Sequence, residues 1–148
     1  MLICIKKEII NRVRYLQKKN ITSIYFGGGT PSILEVFEIK ELLQLIKKNY
    51  SVTENAEITL ECNPEDLNKK KLIGLQNIGI NRLSIGVQSF NNKFLKFMNR
   101  SHTSYKSIKV IKTAQEIGLK NISIDLIYGL PNQTIKDWKK NLTIMLNL

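Results

Sequence analysis

Apolar and polar positions alternate between a helical and a strand period along the whole chain. Over residues 6–19, Ile9, Ile10, Val13 and Leu16 share one side while Lys7, Arg12, Arg14 and Lys18 lie elsewhere, which predicts a helix with one buried stripe. Residues 21–26 read as a strand that runs into Gly27-Gly28-Gly29-Thr30-Pro31. A second helix is predicted after Ser32, with Glu35 three residues on as a capping box, burying Val36, Ile39, Leu43 and Ile46. Residues 58–62 form the next strand, closed by Asn63-Pro64, and a helix over 67–77 stops at Gly79. Strands over 82–88 and 121–128 flank a helix over 104–117 that ends at Gly118, and a last helix covers 134–148. Four strands alternating with five helices predict repeated βα units on a parallel sheet, without an internal boundary or a low-complexity linker.

Parity within the strands adds a second prediction, because successive side chains point to opposite faces. Ile58, Leu60 and Cys62 oppose Thr59 and Glu61; Leu83, Ile85 and Val87 oppose Ser84, Gly86 and Gln88; Ile122, Ile124 and Leu126 oppose Ser123 and Asp125. A parallel sheet covered by helices on both faces reads as continuous aliphatics. Here one face is aliphatic and the other small and polar, which favours a closed or partly closed barrel with a hydrophilic, ligand-filled lumen. Glu61 and Gln88 sit at the C-terminal ends of their strands, where barrel enzymes assemble their sites. A buried carboxylate in mid-strand is costly without a partner, so Glu61 and Asp125 mark a site more than they mark packing.

Composition narrows the function classes. The net charge is +11, yet 19 of the 23 basic residues are lysine, and Ile, Lys and Asn together make up 56 of the 148 residues. Lysines scattered over every predicted helix describe a solvated surface, whereas nucleic-acid sites favour clustered arginine with interleaved aromatics, so no nucleic-acid partner is expected. Cys4 and Cys62 are the only cysteines, which excludes a disulfide framework, a four-cysteine zinc site and an iron–sulfur cluster held by this chain alone. No apolar run approaches ~18 residues, so no integral membrane segment is expected, and a reducing, cytoplasmic location follows.

The glycine run lets a ligand approach the backbone, but it matches neither the P-loop nor the dinucleotide fingerprint. His102 reads as a surface or capping residue, Arg100 as a carboxylate anchor or a solvated cation, and Phe90, Phe94, Phe97 and Trp138 as core.

Four strings, in order, then carry a family resemblance. They are Tyr25-Phe26-Gly27-Gly28-Gly29-Thr30-Pro31-Ser32, Leu60-Glu61-Cys62-Asn63-Pro64, Asn81-Arg82-Leu83-Ser84-Ile85-Gly86-Val87-Gln88-Ser89-Phe90, and Ile124-Asp125-Leu126-Ile127-Tyr128-Gly129-Leu130-Pro131. Together they resemble the radical S-adenosylmethionine (SAM) core of oxygen-independent coproporphyrinogen III oxidase and its heme-chaperone relatives. Ser89 and Arg100-Ser101-His102-Thr103 look more like the heme-chaperone branch.

The resemblance implies a TIM-barrel-like, three-quarter barrel of six βα units with SAM across the strand ends. Residues 1–148 are then a single partial core domain, an internal fragment with units two to five and the helix of unit one. By position, Gly28, Gly29 and Thr30 would line the methionine moiety of SAM. Glu61 and Gln88 would reach its polar groups, Arg100 would face a SAM carboxylate, and Asp125 would complete the pocket. The family's [4Fe–4S] cluster is held by Cys-x3-Cys-x2-Cys, a motif this chain lacks, so no catalytic or metal-ligating residue is assigned. Heme is a further candidate ligand, and a heme or a porphyrinogen the candidate small-molecule partner. In the full-length family, reaction begins with reductive cleavage of SAM to a 5′-deoxyadenosyl radical; this chain alone is expected not to catalyse it. The alternative is a non-catalytic remnant or binding module completed by a partner chain.

Overall fold

The computed structural model describes residues 1–16 and 19–148. Helix α1 (Leu2–Asn11) leads through a short 3-10 turn into strand β1 (Ile21–Phe26). Then follow α2 (Val36–Asn49), β2 (Val52–Cys62), α3 (Lys69–Asn77), β3 (Arg82–Gln88), α4 (Asn92–Phe97), α5 (Ser104–Glu116), β4 (Asn121–Leu126) and α6 (Ile135–Leu146). The strands form one parallel sheet in the order β1-β2-β3-β4, with β1 and β4 at its edges.

The register turns strand parity into layers. Phe26, Leu60, Leu83 and Ile122 align across the sheet, as do Cys62, Ile85 and Ile124. These rows lie against α2, α3 and α5, whose Ile39, Leu43, Leu72, Leu75, Val110, Ile111 and Ala114 complete the core. Between them run polar rows: Tyr25, Thr59, Arg82 and Asn121, and then Glu61, Ser84 and Ser123. Arg82 ties the lower polar row together, its guanidinium donating to Thr59 at 3.3 Å and Ser123 at 3.1 Å, with Glu57 3.7 Å away. The polar face of the sheet therefore has its own hydrogen-bonded floor, as one wall of a hydrophilic lumen requires.

Several elements differ from the sequence reading. The helix expected over 6–19 is helical over Leu2–Asn11, then tightens to a 3-10 turn at Val13–Leu16; residues 17 and 18 lie outside the described residues. Its stripe is not buried: α1 has no buried residue, and Ile10 is 51% exposed. β2 is twice the expected length because Val52–Glu57 continues it, and β1 pairs with that extension at Val52 and Glu57. The capping box lies three residues later. Glu35 caps α2 and Glu38 answers it, while Ser32 sits in a 3-10 turn and donates its hydroxyl to Asp66 at 2.6 Å. Short helix α4 was not anticipated. It buries Phe94 but leaves Phe97 62% exposed, so Phe97 is not core; six residues are too few for a full amphipathic period to show.

Cys62 belongs to the aliphatic face, as its parity predicts, and burial pushes its thiol up to about 12. Cys4 is exposed on α1. At neutral pH a thiol-specific reagent is therefore expected to modify one cysteine per native chain, at Cys4, and both in urea. Native labelling of Cys62 at the rate of Cys4 would contradict this packing.

Candidate functional site

The C-terminal ends of the strands surround a polar cleft of about 260 Å³. Gly29, Thr30, Glu61, Gln88, Arg100 and Asp125 all line it, so six of the seven residues selected from the sequence converge on one place. The seventh, Gly28, stands at its margin and donates its backbone N–H to Glu61 Oε2 at 3.1 Å. Gly28 and Gly29 have φ of 80° and 71°, in the left-handed region, and a Cβ on either would meet nothing within 4 Å. Backbone conformation, not crowding, thus requires glycine at both positions.

Glu61 is oriented from two sides. The Tyr25 hydroxyl donates to Oε1 at 2.7 Å, and Gly28 N–H holds Oε2. That hydrogen bond, together with burial and the negative charge of Glu61, raises the Tyr25 pKa above its ordinary value. The arrangement leaves further acceptor capacity on both carboxylate oxygens directed at the cleft. Asp125 accepts a long bond from the Ser84 hydroxyl at 3.4 Å, one layer deeper on the neighbouring strand.

Arg100, in the turn between α4 and α5, lines the same cleft. Its Nη2 donates to Asn63 Oδ1 at 2.6 Å, whereas its buried Nε has no hydrogen-bond partner among the described residues. A buried guanidinium donor left unpaired is costly unless a ligand completes it. Gln88 ends β3 with φ of 65°, at a register shift against β4 between Ile85 and Gln88. Its side chain folds back over Gly86, where a Cβ would lie 2.8 Å from Gln88 Nε2. Gly86 is glycine so that the amide can cover it.

Five further residues line the cleft: Pro31, Cys62, Asn63, Ser84 and Gly86. Ser84 and Gly86 were on the right face by parity but carry no charge; Asn63 was read only as a strand terminator. His102 was misread. It is 5% exposed, its Nε2 lies 3.1 Å from the Val87 carbonyl, and its Nδ1 lies 2.9 Å from Glu65 Oε2. Burial works to raise the Glu65 carboxyl, but its own backbone N–H, the Ser101 hydroxyl and His102 outweigh that and hold it below its ordinary range. No local signal revealed this pairing, because Glu65 and His102 are 37 residues apart.

The model of the radical SAM superfamily matches residues 5–143, which takes in all four strands and every residue of the cleft. The chain belongs to the radical SAM superfamily. It is 40% identical over 131 residues to heme chaperone HemW of Buchnera aphidicola subsp. Schizaphis graminum, covering 88% of this chain and 35% of that protein. It is 35% identical over 130 residues to the oxygen-independent coproporphyrinogen III oxidase of Escherichia coli, covering 88% of this chain and 28% of the relative. The solved coproporphyrinogen III oxidase (HemN) of Escherichia coli superposes with a TM-score of 0.90 at 33% identity, over 99% of this chain and 34% of that one. This radical SAM chain thus spans about a third of the length of the relatives it matches. Its four-stranded parallel sheet is part of a TIM-barrel-like radical SAM fold, as the family resemblance implied.

Membership of the superfamily implies SAM and a [4Fe–4S] cluster. The cysteines present do not fit a cluster. Cys4 is exposed on α1, Cys62 is packed in the core, and no group of three or more His, Cys, Asp or Glu among the described residues can hold a metal ion. No helix among the described residues is long and apolar enough to cross a membrane.

Proposed function

We propose that this chain is the SAM-binding portion of a radical SAM protein of the coproporphyrinogen oxidase and heme-chaperone group, with residues 1–148 as one partial core domain. The observation that carries the reading is the buried Nε of Arg100, without a hydrogen-bond partner among the described residues, in a cleft that Glu61 and Asp125 also line. A zwitterionic ligand with a sulfonium needs an anion near its ammonium, a guanidinium for its carboxylate and acceptors for its ribose hydroxyls. The donor set fits. Arg100 would take the carboxylate, Gly28, Gly29 and Thr30 would line the methionine moiety, Glu61 and Gln88 would reach further polar groups, and Asp125 would complete the pocket. The cleft, at about 260 Å³, falls just short of the roughly 300–1,000 Å³ common for small-molecule sites, so it would enclose part of the ligand.

When bound, SAM supplies a carbon–sulfur bond that an electron can open; the residues here only bind, orient and shield it. The electron source would have to be a cluster this chain does not ligate, so the chain alone turns over no SAM. Similarity to HemW and to the oxidase makes heme or a porphyrinogen the candidate small molecule handled by the complete protein, and a complementing chain the candidate source of the cluster.

Isothermal titration of the purified chain with SAM tests the binding half of this reading. Saturable 1:1 heat that Glu61→Ala abolishes is expected; no heat with the folded wild-type chain refutes a retained SAM site. Formation of 5′-deoxyadenosine by the chain alone, after iron–sulfur reconstitution and reduction, would refute the catalytic half.

A further inference from the structure

A buried brace joins residues that line the cleft to residues outside it. His102, whose side chain is wholly inaccessible, joins three segments. Its Nε2 meets the Val87 carbonyl at 3.1 Å, which only accepts, so that nitrogen carries a proton. Its Nδ1 meets Glu65 Oε2 at 2.9 Å, and Glu65 Oε1 accepts from the Ser101 hydroxyl at 2.8 Å. Asn63, two residues before Glu65, accepts from Arg100 at 2.6 Å. Segment 63–65 therefore grips segment 100–102 at each of its three residues.

The second arm of the brace controls Gln88. The Val87 carbonyl belongs to the peptide that precedes Gln88, so fixing its direction fixes the φ of Gln88. That φ is 65°, a left-handed conformation that costs a non-glycine residue about 1–2 kcal/mol and persists where the surroundings over-determine it. The carbonyl is held from two sides, by His102 and by Ser89 N–H at 2.7 Å.

We infer that His102 and Glu65 are positioning residues that jointly aim the Arg100 guanidinium and the Gln88 amide into the cleft, and so set its selectivity for carboxylate-bearing ligands. Neither touches the cleft; they act through residues that line it. This rests on the SAM-site reading above, and the experiment separates the two.

SAM is compared with 5′-methylthioadenosine, which keeps the adenosyl–sulfur end but lacks the amino-acid carboxylate. Loss of a hydrogen bond to a charged group predicts that His102→Leu weakens SAM binding ~10-fold or more and leaves 5′-methylthioadenosine within about twofold. Glu65→Ala, at a half-buried position, is expected to act in the same direction. In an Arg100→Leu, Gln88→Ala background, His102→Leu should change SAM affinity by less than about twofold, because the effect passes through those two residues. Equal weakening of both ligands, or additive losses, would overturn the brace. Order of the Arg100 Nε–H, read by the ¹⁵N heteronuclear NOE, needs no ligand: rigid in wild type and averaged in either single variant is expected. An equally rigid signal in Glu65→Ala refutes the brace even if wild type binds no SAM, whereas failure of wild type to bind SAM with a rigid Arg100 refutes only the SAM-site reading.

Discussion

Arg100→Leu is expected to lower the affinity of the chain for SAM by roughly two to three orders of magnitude. Half-buried Arg100 has Nη2 committed to Asn63 at 2.6 Å and a buried Nε with no hydrogen-bond partner among the described residues. A ligand carboxylate that enters the cleft would lose, in the variant, the one cation among the described residues that line it. Truncating one member of a desolvated charge pair costs about 2–5 kcal/mol, much of it the penalty of leaving the other charge unpaired. Arg100→Lys should recover only a minor part, since an ammonium cannot serve Asn63 and a carboxylate with the same planar fork. Calorimetric titration of the two variants decides it; retention of wild-type affinity within threefold in Arg100→Leu would remove Arg100 from the site.

The largest effect on stability is expected from Leu83→Ala. Leu83 is wholly buried near the start of β3, in register with Leu60 on one side and Ile122 on the other. Its removal opens a cavity under α3 and α5 that the paired strands cannot collapse to fill. Leu→Ala at such sites costs about 2–5 kcal/mol, and full burial between two paired strands puts Leu83 near the upper end. Out of a total stability of about 5–15 kcal/mol, that loss moves the urea midpoint far toward water. Ser123→Ala, on the polar face of β4, serves as the comparison and should cost about 1 kcal/mol for its bond from Arg82. Equal midpoint shifts for the two variants would mean that the two faces of the sheet are not divided as the register indicates.

That division was legible in the alternation itself. Leu60, Leu83 and Ile122 align in one row and Glu61, Ser84 and Ser123 in the next because a two-residue period leaves no freedom once register is set. The same regularity gathered Glu61, Gln88 and Asp125 at one end of the sheet, since each lies late in a parallel strand. Gly28 and Gly29 announced a turn that needs positive φ. Where the reading failed, the interactions ran between distant segments or lacked a period. Ser32 bonds Asp66 instead of capping α2, and α4 is too short to repeat.

By itself, then, the sequence determined which residues face the helices and which face the open side of the sheet, the order of the βα units, and the end of the sheet where chemistry gathers. These follow from local periodicity and from backbone conformations that few residues tolerate. Only the tertiary structure decided the pairing of Arg100 with Asn63, the orphaned Nε beside it, the left-handed turn at Gln88, and the burial of His102 between Glu65 and the Val87 carbonyl. Those contacts join residues 15 to 37 positions apart, and packing of the βα units against one another brings them together.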